Sequence, residues 1–113
     1  MSTDPQVTDG LIEIENEMRR LLHGHTQPYE SAWKIWARAM SLVSQSPNVM
    51  HPLWLIWGSL TDWIENRPEE MPQAESKMHQ AANEWLELNP RDMAAVKDYL
   101  DRWVYDEMGY ARD

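Results

Sequence analysis

The sequence predicts an all-α fold, a compact single-domain bundle of four to five helices. Three observations carry that expectation. Apolar residues recur at helical spacing along most of the chain, and no run of alternating β-branched residues reads as a strand. The length of 113 residues suits one domain. A hydrophobic content of 42% can build a core, which excludes intrinsic disorder.

The first helix is expected over residues 9–23. There Leu11, Ile14, Met18, Leu21 and Leu22 form one stripe, and Gly24 is placed to end it. Glu15 and Arg19 make a favourable pair one turn apart on the outer face. Residues 1–8 read as a flexible N-terminal arm, 9–109 as the helical domain and 110–113 as a C-terminal tail.

A second helix is expected over residues 28–45, capped by Thr26 or Gln27 with Pro28 in its first turn. Ser31, Lys34, Arg38, Ser41 and Gln45 form a narrow polar strip. Trp33, Ile35, Trp36, Ala37, Ala39, Met40, Leu42 and Val43 cover the rest. A helix apolar around most of its circumference is expected in the middle of a bundle.

Ser46-Pro47-Asn48 breaks the chain, and Pro52 can open a third helix extending to about Asn66. Its stripe is Leu53, Ile56, Trp57, Leu60, Trp63 and Ile64. Trp54 and Leu55 fall off that stripe, towards the side carrying Asp62 and Glu65. The segments Trp33-Lys34-Ile35-Trp36-Ala37 and Trp54-Leu55-Ile56-Trp57-Gly58 echo each other: two Trp one turn apart, then a small residue. Ala37 and Gly58 would let a neighbouring helix approach beside bulky rings. A glycine inside a helix costs about 1 kcal/mol relative to alanine, so Gly58 requires a packing reason.

A proline-bounded loop follows at residues 67–72. The fourth helix then presents Ala74, Met78, Ala81, Ala82, Trp85 and Leu86 on one face. In Asn89-Pro90-Arg91-Asp92, Asn is the expected cap, Pro the first helical residue and Asp the residue reaching back, with Leu88 and Met93 as a hydrophobic staple. The last helix is expected to run to about Met108, with Met93, Val96, Leu100, Trp103 and Val104 inward and Gly109 as its stop. Ala81-Ala82-Asn83-Glu84-Trp85-Leu86-Glu87-Leu88-Asn89-Pro90 resembles the end of a tetratricopeptide repeat unit. No second copy occurs at the repeat period, so nothing further is taken from that family.

Ten basic and 19 acidic residues leave a formal charge of −9. Such a field repels phosphate backbones, so direct nucleic-acid binding is not expected. It speeds encounter with a basic protein patch. The absence of cysteine removes disulfides, thiolate metal sites and Cys nucleophiles, and fits a reducing compartment. Met1-Ser2-Thr3-Asp4-Pro5 lacks the basic start and apolar core of a signal peptide. The most apolar stretch, residues 53–60, is too short for a membrane span. A cytoplasmic protein with no membrane association is expected.

His23, His25, His51 and His79 match no His-Glu-x-x-His pattern and have no Cys partner. Glu75 and His79 lie one turn apart, a spacing that serves a helix-stabilising pair as well as two metal ligands. Acid–base catalysis needs shielded carboxylates with separated pKa values. Glu13 with Glu17, and Asp98 with Asp101, are expected on solvent sides beside Arg20 and Arg102. Four isolated glycines make no phosphate-binding loop, and no nucleophile elbow is present. Neither an enzyme nor a bound cofactor or metal is expected.

Seven Trp, eight Met and no Phe put the aromatic mass into the largest side chain. Trp36, Trp57, Trp85 and Trp103 are expected as core filler, with Met in the gaps between rings. Trp54, Leu55 and Tyr105 lie off their stripes and, with Glu13 and Glu17, are the candidate partner-binding residues. The expected function is a non-catalytic acidic protein-binding module, such as a small inhibitor, an immunity-type antagonist or an adaptor, with charge favouring a basic protein partner. A homodimer is also an expectation, because helices this apolar can leave surface that one copy does not cover. One alternative is a nucleic-acid mimic with an acidic face along Glu13, Glu17, Asp98, Asp101 and Asp106. The other is a small-ligand or metal-binding protein using the Trp and His groups, including an aromatic cage for a cation.

Overall fold

The computed structural model describes residues 5–89 and 91–111. Five α-helices follow one another: α1 (Pro5–Leu22), α2 (Pro28–Ser41), α3 (Pro47–Asn66), α4 (Met71–Glu87) and α5 (Met93–Asp101). A 3-10 turn at Pro68–Glu70 precedes α4, and α5 runs directly into a π-helical segment, Arg102–Glu107. No strand occurs among the described residues, so the expected all-α bundle is the observed one. Among the described residues no helix is long and apolar enough to cross a membrane.

Helix α3 is the spine. It packs along α2 and also meets α4, α5 and the π-helical segment, while α1 lies against α2 and α4. The buried residues fall on the predicted stripes: Ile14, Met18 and Leu21 on α1, Leu53, Ile56, Trp57 and Leu60 on α3, and Ala74, Met78, Ala81, Ala82 and Trp85 on α4, while Leu11, Leu22, Trp63, Ile64 and Leu86 of those stripes are half-buried. The small residues on α4 let its neighbours approach closely, and the large rings of Trp57 and Trp103 fill the interior with no exposed surface.

Several boundaries differ from expectation. Helix α1 begins at Pro5 rather than at residue 9, and Val7 packs against the core. Residues 5–8 are therefore part of the first helix, and residues 1–4 lie outside the described residues. Helix α2 ends at Ser41, and the backbone turns from Leu42. Helix α3 begins at Pro47 and carries Pro52 inside it. Pro47 needs no helical donor in the first turn. Pro52 gives up one hydrogen bond to the carbonyl of Asn48, an exposed residue in that same turn, where the loss is least costly. The earlier start brings Met50 into the core.

Asp92, not Asn89, caps α5. Its side chain accepts from the amide of Ala95 at 3.0 Å, while Asn89 Oδ1 accepts from the amide of Arg91 at 3.0 Å and shapes the connecting turn. The helix therefore starts later, and Met93 is 60% exposed instead of closing a staple. Tyr99 takes an interior position on α5, donating its hydroxyl to the carbonyl of Ala81 at 2.7 Å. Burial, and then the nearby charge of Glu84, push its phenol well above the ordinary tyrosine range.

Indole N–H groups are tied to glutamates. Trp85 donates to Glu15 at 3.0 Å, Trp103 to Glu84 at 3.0 Å and Trp63 to Glu70 at 2.8 Å. Glu15 thus reaches across to α4 instead of pairing with Arg19, which donates to Asn16. A buried donor given a charged acceptor avoids the desolvation penalty of an orphaned group. Trp57 Nε1, by contrast, is buried without a hydrogen-bond partner. Burial opposes ionisation of Glu84, but hydrogen bonds from Arg102, Gln80 and Trp103 outweigh it and hold its carboxyl below the usual range.

Candidate functional site

Helix α2 does not sit in the middle of the bundle. Only Ser31, Ala32, Ile35 and Ala39 of its residues are buried. Trp33 is 49% and Met40 is 45% exposed, while Trp36 and Ala37 are half-buried. The helix is apolar nearly all round, yet α1, α3 and α4 cover only part of its circumference and leave Trp33 and Met40 on open surface.

Trp33 stands on that surface as a ridge with a depression on each side. Towards α1 lies a cleft of about 470 Å³ that contains Glu13, Glu17, Arg20, Lys34 and Arg38. Each of its acids already faces an arginine, although Glu17 Oε2 is buried without a hydrogen-bond partner. Glu17 Oε1 accepts from Arg20 at 2.5 Å, and Arg38 Nε lies 2.6 Å from Glu13 Oε2. That second contact is held by charge and not by an aligned hydrogen bond, since Arg38 Nε has no hydrogen-bond partner. Glu13 stays largely exposed, but Glu17 is buried, contrary to the expectation of a solvent-facing pair. Position 17 falls between Ile14 and Leu21 on the apolar stripe of α1, and it lines the cleft between α1 and α2.

On the other side, α2 and α3 enclose a groove of about 400 Å³. Trp33 and Trp36 form its α2 wall, their rings 5.8 Å apart and tilted by 52°. Trp54 and Leu55 form the α3 wall, and Asp62 and Glu65 stand farther along the same helix. None of the lining residues is basic. Within the groove the Cδ1–Nε1 edge of Trp36 comes against Gly58, where an added Cβ would lie within 2.9 Å of Cδ1. This is the packing reason that a mid-helix glycine requires.

Tyr110 closes one end. Gly109 adopts a left-handed backbone (φ 81°), which lets the amide of Tyr110 return to the carbonyl of Val104 at 3.1 Å. The turn carries the Tyr110 hydroxyl to within 3.0 Å of Ser59 Oγ. At the Glu65 end, Tyr29 donates its hydroxyl to Glu65 Oε2 at 2.6 Å, and that bond to a carboxylate raises the Tyr29 pKa. Asp62 is exposed and makes no ion pair among the described residues.

Of the five residues singled out from the sequence, Trp54 and Leu55 meet in this groove, both half-buried. Glu13 and Glu17 face the α1/α2 cleft beyond the Trp33 ridge. Tyr105 is half-buried against the core and lines neither depression. Sequence reasoning missed Trp33, which looked like one more ring of a central helix, and Tyr110, which fell in the expected tail. The off-stripe signal that singled out Trp54 also pointed to the side of Asp62 and Glu65.

The continuous acidic face that mimicry of nucleic acid would use is interrupted. Glu13 pairs with Arg38, Glu17 with Arg20, and Asp101 with Lys97 at 2.7 Å. Among the described residues no three His, Cys, Asp or Glu side chains come close enough to hold a metal ion. His23 and His25 lie 5.8 Å apart ring to ring, and His51 packs on Trp54 at 5.4 Å. Comparison of the chain with protein-family models, with curated proteins and with solved structures finds no match.

Proposed function

We propose that this chain is a non-catalytic protein-binding module that engages a basic patch of its partner through the α2/α3 face. Inhibitor, immunity-type antagonist and adaptor are all forms this takes. The observation that carries the reading is the groove itself: three partly exposed indoles and two carboxylates with no basic residue among its walls. Aromatic rings supply contact area at low entropic cost, and Trp is among the residues enriched at binding hot spots. The −9 charge adds long-range attraction for a basic partner. A cytoplasmic setting belongs to the same proposal and rests on the cysteine-free composition.

Affinity capture from an extract of the source cell, at low and high salt, tests this. Wild type should retain a protein at low salt and release much of it at high salt. The Trp33→Ala and Trp54→Ala variants should lose it, while Met93→Ala, on exposed surface remote in sequence from the groove, should keep it. Equal capture by all variants would remove the groove from the reading. Capture of nothing at either salt, together with turnover of a small molecule, would end it.

A further inference from the structure

We infer that the occupant of the α2/α3 groove is an arginine side chain presented by the protein partner, stacked on the indoles and held by Asp62 and Glu65. This rests on the groove being the docking face, and it specifies what that face reads. The walls favour a flat cation. Trp33 and Trp54 line the groove from opposite helices, so a group entering it has an indole on either wall. A cation near a Trp face is attracted by the negative potential of the ring, and the attraction grows as water is excluded.

The acids then choose between cations. Asp62 and Glu65 stand one helical turn apart on α3, and Glu65 has one oxygen already taken by Tyr29. The site therefore offers Asp62 in full and the second oxygen of Glu65, two acceptors set apart from each other. A guanidinium presents five N–H donors in one plane, so it can address both carboxylates while its face remains on an indole. An ammonium is a compact, strongly hydrated point charge that cannot stack and divides its donors less well. The α1/α2 cleft offers no comparable site, because Arg38 and Arg20 already stand against its two carboxylates, Glu13 and Glu17, and Lys34 lines it as well.

The test uses the full chain labelled with ¹⁵N and follows the indole N–H resonances during titration with N-acetyl-arginine amide. The same titration is run with the lysine and citrulline analogues. Arginine should shift Trp33, Trp36 and Trp54 while leaving Trp85 and Trp103 in place. The lysine analogue should bind roughly threefold more weakly, and the neutral citrulline analogue about tenfold more weakly or not at all. Asp62→Asn, an exposed change that leaves the core untouched, should weaken arginine by about threefold or more. Citrulline matching arginine, lysine binding as tightly as arginine, or indifference to Asp62→Asn would overturn the inference. So would a dimer in sedimentation that Trp54→Ala dissociates, since a second copy would then be the occupant. If arginine fails while Trp54→Ala still abolishes partner capture, the docking face stands and only its arginine preference falls. If both fail, the face falls too.

Discussion

The indole of Trp36 rests on the Cα of Gly58, so closely that a methyl group at that position would come within 2.9 Å of Cδ1 and 3.0 Å of Nε1. Two helices are joined there by a ring on one and a missing side chain on the other. The same contact lies in the groove, since Trp36 and Gly58 both line it.

The pair predicts a reversal of sign. Gly58→Ala gains about 1 kcal/mol of helix propensity but must displace the Trp36 ring. In the wild-type background it should yield no gain or a net loss. Once Trp36→Ala has removed the ring, the same Gly58→Ala change should stabilise by about 1 kcal/mol. Urea unfolding of the four variants measures the coupling. Equal effects of Gly58→Ala in both backgrounds would show that the ring does not depend on the glycine.

Two tryptophans should separate core from surface. Trp57→Ala removes a fully buried ring and should cost about 3–5 kcal/mol. Trp33→Ala removes a ring that is 49% exposed and should cost no more than about 1 kcal/mol. Chemical denaturation monitored by circular dichroism distinguishes them. A large loss from Trp33→Ala would mean that this ring serves the fold.

Acid stability should depend on Glu84. Its pKa is lowered on folding, so its contribution is complete above the ordinary carboxylate pKa of 4.5. That contribution is lost as pH falls through the lower folded-state value. Glu84→Gln, which keeps an acceptor but no charge, should be less stable than wild type at pH 6, and the gap should narrow below about pH 4.5. Thermal melts across that range provide the measurement. A gap that stays constant would assign the lowered pKa no role in stability.

Tyr99→Phe deletes the hydroxyl that donates to the Ala81 carbonyl inside the core. With the ring still packed between Trp85 and Trp103, the loss should be confined to the hydrogen bond, about 0.5–1.5 kcal/mol. A cost of several kcal/mol in urea unfolding would mean that the hydroxyl also positions those rings.

Periodicity alone established that the chain is helical, which faces of α1, α3 and α4 are buried, and that Trp54 and Leu55 point away from the α3 stripe. These are properties of short segments: the angle between successive side chains depends only on local backbone geometry. Periodicity also misled in a definite way at α2, whose nearly complete apolar circumference suggested a central helix. How many neighbours cover a helix depends on chain topology, and the connections here leave one side of α2 open, so Trp33 became a ridge instead of core. Glu17 shows the converse. A carboxylate at the margin of the α1 stripe is buried or exposed according to where α2 crosses it, and no local pattern encodes that crossing. The N-cap of α5 and the left-handed turn at Gly109 were each within reach of sequence rules. Which of two competing caps wins, and what Tyr110 meets once Gly109 redirects it, depend on contacts with residues far along the chain. The amino-acid order therefore set the helices and their stripes, while the groove arose only from their assembly, because it lies between two helices and belongs to neither.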